Sequence, residues 1–121
     1  MASALEDFIN TLNKARGFQT LYFQNHEGAF KVPNGYASWL EYWEKRTGRK
    51  SGKCQNLLCK SDDNEISDLE GCHVDVVGRS GIWLIPMCHC CNDWRNRDMM
   101  KSLACNLIEV PANILVPIAD E

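Results

Sequence analysis

Two pairs of closely spaced cysteines constrain the fold of this chain more than any other feature of its sequence. Four residues separate Cys54 from Cys59, and two residues separate Cys88 from Cys91. A fold that brings the two pairs together supplies four thiolates for one tetrahedral zinc ion. We therefore predict a structural zinc site with the ligands Cys54, Cys59, Cys88 and Cys91. Four thiolates leave no open coordination position, so the zinc ion would not itself carry out chemistry.

The other cysteines and the start of the sequence indicate a reducing compartment. The chain has seven cysteines, and Cys72, Cys90 and Cys105 are left over once the two pairs are assigned. The first residues lack a signal-peptide pattern, and no apolar run is long enough to cross a membrane. We expect a cytoplasmic protein, in which paired cysteines bind metals more often than they form disulfides. His89, inside the second pair, is predicted to point away from the metal.

Length and composition are those of one globular domain. The chain has 121 residues, of which 45% are hydrophobic and 24% charged. We predict an α+β fold in which a helix, a β-hairpin and a second helix pack on a zinc-stabilised module. The predicted single domain, 1–121, has an N-terminal α/β layer at 1–50, a zinc module at 51–103 and short C-terminal strands at 104–121.

The sequence before the first cysteine pair predicts two helices separated by a hairpin. The first helix is predicted over residues 4–16, where a capping-box start is followed by apolar positions expected to face the core. Residues 18–23 and 29–32 favour strands and flank a turn, which predicts a β-hairpin. Ser38 has the spacing of a second capping box, and that helix is predicted to end near Thr47.

The zinc module is predicted to consist of a hairpin followed by a helix. Residues 72–77 and 82–87 favour strands and are joined by a glycine-containing turn. A helix is predicted to begin at Asn92 or Asp93 and to run to about Leu103. Two later apolar runs each end at a proline, which predicts short or edge strands.

Basic residues lie on both sides of the zinc module and are candidate contacts for nucleic acid. They are Lys45, Arg46, Arg49, Lys50, Lys53, Arg95, Arg97 and Lys101. With neighbouring aromatic residues they could grip phosphate and stack bases. The alternative for the first group is a solvated helix end that complements the helix dipole. The net charge of −3 gives no overall attraction for nucleic acid.

Residues 54–102 resemble the HNH, or ββα-metal, nucleases and their inactive relatives, including small bacterial and phage HNH-like proteins. The resemblance rests on Cys54 and Cys59, on His73 in the motif Gly-Cys-His-Val, and on the run 84–92 that contains Ile-Pro-Met-Cys. It implies a treble-clef fold with a knuckle, a β-hairpin and a helix around structural zinc. It also implies a separate catalytic Mg²⁺ or Mn²⁺ ion between strand and helix.

By this resemblance His73 would be the general base that activates water, and Asn92 would contact the catalytic metal. The sequence departs from the family pattern at two places. Cys72 stands where Asp or His usually binds the metal, and a thiolate is a poor ligand for Mg²⁺. Trp83 or Leu84 falls where the family has a central asparagine. The catalytic motif is therefore incomplete.

Three functions follow from these observations. The first is a zinc-stabilised HNH-like module that binds or acts on nucleic acid. The second is a non-catalytic module that binds protein, one form of which is a phage or mobile-element protein that inhibits a host defence enzyme. The third is an active metal-dependent endonuclease with His73 as base.

Overall fold

The computed structural model describes residues 4, 5, 7, 8, 11, 18–60 and 69–118. Five strands form one antiparallel sheet in the order β4-β1-β2-β3-β5. The strands are β1 (Thr20–Asn25), β2 (Leu69–Val76), β3 (Ile82–Cys88), β4 (Met100–Leu103) and β5 (Ile108–Val110). The helices are α1 (Trp39–Thr47) and the single turn α2 (His89–Asn92), with short 3-10 turns at Ala104–Asn106 and Ala112–Ile114. The predicted α+β class is confirmed in this coarse form. No helix in the described part of the chain is long and apolar enough to cross a membrane.

The predicted hairpin in the second half of the chain is confirmed as β2 and β3. Its register pairs Leu69 with Cys88 and Val74 with Trp83. Gly78 and Gly81 in the connection have φ angles of 80° and 83°, which glycine adopts without strain. The hairpin includes the central strand β2 and carries Cys88 at the end of β3.

The predicted hairpin over residues 18–32 is wrong. The strand β1 forms, but it pairs with β2 on one side and β4 on the other. The segment after the turn makes a single bridge, between Phe30 and Pro117. The turn residues were correctly placed between extended segments, but local turn chemistry does not specify which strand will become the neighbour.

The helix predicted from Ser38 to Thr47 is confirmed as α1. The Ser38 hydroxyl accepts a hydrogen bond of 3.0 Å from the amide of Glu41, whose carboxylate accepts one of 2.7 Å from the amide of Ala37. This is a variant of the capping box, in which Glu41 binds the amide of Ala37 instead of the amide of the N-cap Ser38. Gly48 ends the helix with a φ of 69°.

The helix predicted from Asn92 or Asp93 to Leu103 is wrong. The helical turn α2 ends at Asn92, and Met100–Leu103 forms β4. Met100 and Ser102 are buried while Lys101 is partly exposed. This alternation suits an outer strand of the sheet, so pairing with β1 overrides a weak helical pattern. The treble-clef arrangement is therefore not confirmed.

Other predictions at the ends of the chain have mixed outcomes. The run 107–110 forms β5, but 114–116 does not form a strand. Residues 4, 5, 7, 8 and 11 are helical, and the rest of the predicted first helix lies outside the described residues. Leu5 and Phe8 were expected to face the core and are instead exposed. Residues 61–68 also lie outside the described residues.

The sheet separates two hydrophobic cores. On one face the cysteine pairs pack with Phe23, Val74 and Met87. On the other face α1 packs Trp39 and Trp43 against β3 and β5. We call these the cysteine side and the helix side of the sheet. Because side chains alternate along a strand, neighbouring residues of β2 belong to different cores.

Candidate metal centre

The structure brings the sulfur atoms of the four predicted ligands within 4.8 Å of one another. The Sγ atoms of Cys54 and Cys91 lie 3.8 Å apart, and those of Cys59 and Cys88 lie 3.7 Å apart. Four sulfurs at about 2.3 Å from a tetrahedral zinc ion would lie roughly 3.8 Å from each other. The sulfur positions therefore fit a metal such as zinc.

Three segments position these sulfurs. Cys88 ends β3, and Cys91 lies in α2, the helical turn that follows. Cys54 and Cys59 lie in residues 54–60, which we call the knuckle. The knuckle is attached to β3 by a 3.0 Å hydrogen bond from the amide of Gln55 to the carbonyl of Pro86. The cluster thus joins two parts of the chain that are distant in sequence.

Asn56 holds the knuckle against the rest of the site. Its side-chain amide donates to Cys91 Sγ at 3.4 Å. Its Oδ1 accepts from the amides of Leu58, at 3.0 Å, and Lys101, at 3.3 Å. Asn56 is buried and orients a ligand sulfur from outside the ligand set, as metal sites commonly require. Sequence reasoning missed this residue, although a polar residue inside a short cysteine pair was the available signal.

The close approach of the thiols shifts their pKa values in opposite directions. The hydrogen bond with Cys91 lowers the pKa of Cys54 to about 5. The same contact raises the pKa of Cys91, and burial raises the pKa of Cys88. Cys54, Cys88 and Cys91 cannot all ionise unless a cation offsets their charges. A bound divalent metal would supply that charge and would displace the remaining thiol protons.

The other cysteines and His89 are not members of the described cluster. Cys72 is buried on the cysteine side, where its thiol donates to the carbonyl of Glu70 at 3.3 Å. Burial raises the pKa of Cys72 well above its usual range, so it remains a protonated thiol. The exposed ring of His89 lies 3.2 Å from Glu70 Oε1. Cys90 and Cys105 are exposed.

His73, the predicted general base, lies on the helix side of the sheet. Its ring centroid is 4.4 Å from that of Trp39 and 5.0 Å from that of Phe30. Its Nε2 is buried and has no hydrogen-bond partner among the described residues. Burial, and to a lesser extent the nearby His26, lower the pKa of His73 to about 4. These are the surroundings of a neutral histidine in a core.

The structure does not bring His73 and Asn92 together. The Asn92 amide donates to Glu70 Oε1 at 3.1 Å. Glu70 and His73 are three positions apart on β2, so their side chains lie on opposite faces of the sheet. The catalytic roles of His73 and Asn92 stay predictions, and the geometry of the described residues does not assemble them into one site.

The basic residues of α1 and the following segment make contacts within the chain. Lys45 forms an ion pair of 3.0 Å with Glu41. Arg49 donates to Asn106 Oδ1 at 3.1 Å and to the carbonyl of Cys105. The contacts of Arg49 tie the segment after α1 to the turn before β5.

The basic residues after the second cysteine pair also form ion pairs within the chain. Arg95 pairs with Asp93 at 2.9 Å, and Arg97 pairs with Glu27 at 2.8 Å. Hydrogen bonds from the side chain and the backbone amide of Arg95 hold the pKa of Asp93 well below its usual range. Both arginines thus sit beside carboxylates that reduce their attraction for phosphate.

The remaining predicted basic residues are spread over the surface. The cationic groups of Arg46 and Lys101 each lie over a tyrosine ring. Lys50 and Lys53 are exposed in the segment that enters the knuckle. Because α1 and the cysteine cluster lie on opposite faces of the sheet, the eight residues do not form one continuous basic surface.

A groove of about 990 Å³ lies beside the cysteine cluster. Residues of the knuckle form one wall, and residues 93–100 form the other. Its lining includes Asn56, Leu58, Cys59, Cys91, Arg97 and Met99. Leu58 and Met99 are the exposed large apolar residues of this lining, with exposed fractions of 48% and 45%. Sequence reasoning missed the groove because it depends on the loop that replaces the expected helix.

Comparison with protein-family models, curated proteins and solved structures finds no match to this chain.

Proposed function

We propose that this chain is a zinc-stabilised, non-catalytic module that binds a protein partner through the groove beside the cysteine cluster. The observation that carries the proposal is the combination of a four-thiolate cluster with exposed apolar residues directly next to it. The zinc ion would be structural, because four sulfurs at tetrahedral distances leave no position for a substrate or water.

The position of the groove supports binding as the role of the module. The knuckle wall is held in place by the metal ligands Cys54 and Cys59, so the metal would fix the shape of the binding surface. Leu58 and Met99 are large apolar side chains that both line the groove and are both exposed. Clustered exposed apolar residues commonly mark protein interaction sites.

Charge supports a protein partner over nucleic acid. The two arginines nearest the groove are paired with carboxylates, and the net charge of the chain is −3. Nucleic-acid affinity arises mainly from cations that neutralise phosphates and release counterions. Apolar contacts with a protein do not need such a surplus of cations.

An HNH-like nucleic-acid-binding module is the second candidate function. The cysteine knuckle next to the β2–β3 hairpin, with Cys88 at the end of β3, favours it. The single-turn α2 and the separation of His73 from Asn92 are against cleavage in this candidate. It predicts binding of oligonucleotides that weakens steeply with salt.

A substitution in the groove tests the proposal. Leu58→Asp places a charge in the apolar wall, and Val116→Asp is the control because the two side chains are 48% and 49% exposed. A partner identified by crosslinking to wild-type protein would be purified and titrated calorimetrically at two salt concentrations. We expect Leu58→Asp to weaken binding at least about tenfold and Val116→Asp to leave it unchanged.

The nucleic-acid arm of the experiment uses defined oligonucleotides. Fluorescence anisotropy would be measured with single-stranded DNA, duplex DNA and RNA, and cleavage would be assayed with Mg²⁺ and Mn²⁺. We expect no cleavage and no binding near physiological salt. Salt-dependent oligonucleotide binding together with equal partner affinity of both variants would contradict the proposal and favour the HNH-like candidate.

A further inference from the structure

A second depression, of about 420 Å³, lies at the end of β1, where Gln24 pairs with Asp75 of β2. We call it the polar pocket. All of its lining residues are polar or charged, and they are Gln24, Asn25, His26, Glu27, Asp75 and Arg97. Arg97 also lines the groove beside the cysteine cluster, so the two depressions meet at this side chain. A molecule bound in the groove can therefore extend into the polar pocket.

Contacts within the chain fix the walls of the polar pocket. His26 Nδ1 lies 2.8 Å from Asp75 Oδ1, and the His26 ring stacks on Phe30 with the ring centroids 5.7 Å apart. The side-chain amide of Asn25 donates to the carbonyl of Cys91 at 2.7 Å. The pocket is therefore formed without a ligand, and one of its walls is attached to the backbone of the cysteine cluster.

The charges of the polar pocket do not balance. Arg97 pairs with Glu27 at 2.8 Å, so these two charges offset each other. Asp75 has only His26 as its ion-pair partner among the described residues. When His26 is neutral, the carboxylate of Asp75 is therefore left as one unbalanced negative charge. This charge would attract a cation and repel an anion.

The polar pocket also offers several hydrogen-bond acceptors. Within the described part of the chain, Asp75 Oδ2, Glu27 Oε2 and Gln24 Oε1 make no hydrogen bond, whereas the other polar atom of each side chain is engaged. Acceptors grouped in this way suit the N–H donors of a guanidinium or an ammonium group. A metal ion is disfavoured, because the described residues gather three or more metal-binding side chains only at the cysteine cluster.

We propose that the polar pocket receives an arginine or lysine side chain of the protein partner that occupies the groove. This inference rests on the proposed function and adds the chemistry of the partner, which would place a cation next to its apolar contact. Asp75 would form the ion pair, and Gln24 and Glu27 would accept the remaining hydrogens. Because the charges lie near the surface, this contact would orient and select the partner more than it would add affinity.

NMR titration of the full chain with small probes tests the polar pocket by itself. The probes are Nα-acetylarginine amide, which is a cation, and its neutral analogue Nα-acetylcitrulline amide. We expect the arginine probe to shift the backbone amide signals of Gln24, His26 and Asp75 in a saturable way. The citrulline probe should bind several-fold more weakly. Equal binding of the two probes would overturn the proposal, because the pocket would then not recognise the positive charge.

Asp75→Asn removes the negative charge and keeps the size of the side chain. We expect it to weaken binding of the arginine probe about fivefold or more. Asp98→Asn is the matched control, because Asp98 lines the groove but not the polar pocket. Glu27→Gln, at a side chain that is 76% exposed, is a second variant that should weaken the probe even if Asp75→Asn disturbs folding. Wild-type affinity in a folded Asp75→Asn variant would contradict the proposal.

Calorimetry with the partner identified for the groove shows whether the cation comes from that partner. Weaker partner binding in Asp75→Asn, with no change in Asp98→Asn, supports a basic side chain of the partner. If Leu58→Asp weakens the partner and Asp75→Asn does not, the docking of a basic side chain is overturned while the groove remains the binding surface. If neither variant affects the partner but the arginine probe still needs Asp75, the partner's side chain is overturned and the polar pocket is assigned to a free organic cation.

Discussion

Among the single residues, His73 shows that burial can prevent a histidine from acting as a catalytic base. A general base for hydrolysis must reach a water molecule and accept its proton. His73 instead packs between Phe30 and Trp39, and its pKa is lowered to about 4. The histidine that carried the HNH resemblance in the sequence is half-buried against Trp39 and Phe30 of the helix-side core.

This burial predicts an acid-sensitive contribution to stability. The pKa of His73 is about 4 in the folded protein and about 6.5 in the unfolded chain, so only the unfolded chain binds the proton between these values. The contribution of neutral His73 to the free energy of unfolding is therefore fully present above pH 6.5. It is lost as the pH drops toward 4, by about 2–3 kcal/mol for this partly exposed ring. His73→Phe keeps an aromatic ring at this position and should remove this loss.

Urea denaturation of wild type and His73→Phe between pH 4.5 and 8 measures the effect. Protonation of the thiolates acts on both chains, so the difference between them isolates His73. We expect the variant to gain stability relative to wild type as the pH falls. Parallel stability curves over this range would show that His73 is not buried as the structure has it.

Asn56, in contrast, has a role in the structure that its sequence did not indicate. It was an ordinary polar residue in the sequence, and the fold makes it the link between a ligand sulfur, the knuckle and Lys101. The spacing of the cysteines was sufficient to predict the four ligands. The groups that orient them come from tertiary contacts and could not be predicted from that spacing.

At the scale of secondary structure, the elements with strong local signals were predictable. The helix α1 has a capping box and a terminal glycine, and the β2–β3 hairpin has two strand-forming runs joined by a short turn. Both signals act within a few residues, so tertiary context does not alter them.

The errors concern elements whose conformation is decided by a distant partner. The segment 93–103 has helical spacing, but its last residues pair with β1, which is some eighty positions earlier. The segment 29–32 lost its expected partner because β1 is occupied on both edges by β2 and β4. Strand pairing over such distances leaves no mark in the sequence of either strand alone.

The contact between α1 and β2 gives a prediction at this scale. Gly71→Ala would place a Cβ 2.5 Å from backbone atoms of Trp39 and Leu40, which cannot move aside as a side chain would. We expect a loss of about 2–3 kcal/mol in the free energy of unfolding, because the helix must lift from the sheet.

Gly52→Ala is the matched control for this substitution. A Cβ at Gly52 meets no atom within 4 Å, and the residue does not adopt a left-handed conformation. This variant should be neutral or slightly stabilising. Urea midpoints of the two variants provide the comparison, and equal midpoints would contradict the close packing of α1 on β2.

At the scale of the whole molecule, the cysteine cluster connects the knuckle to the end of the central hairpin. The strand pairing of the sheet does not include the ligands Cys54 and Cys59. A metal bound by Cys54 and Cys91 would link the two ends of the segment that contains β2 and β3. Its loss would release the knuckle and with it one wall of the groove.

Removing the metal should therefore destabilise the protein and the binding surface together. We expect wild-type protein to contain one zinc ion per chain and to melt at a markedly lower temperature after treatment with a strong chelator, because structural zinc sites contribute directly to folding free energy. Cys59→Ser should behave like chelated wild type. Cys105→Ser is the control, since Cys105 is an exposed cysteine outside the cluster.

The pH dependence of zinc uptake provides an independent check. Zinc must displace protons from Cys88 and Cys91, whose pKa values are raised, so binding should release protons and should strengthen as the pH rises from 5 to 8. Elemental analysis with circular dichroism melting would measure content and stability, and calorimetry in two buffers would count the protons. An unchanged melting temperature in protein shown to have lost its metal would refute the structural role of the cluster. Emptying a site that fixes the knuckle must lower the free energy of unfolding.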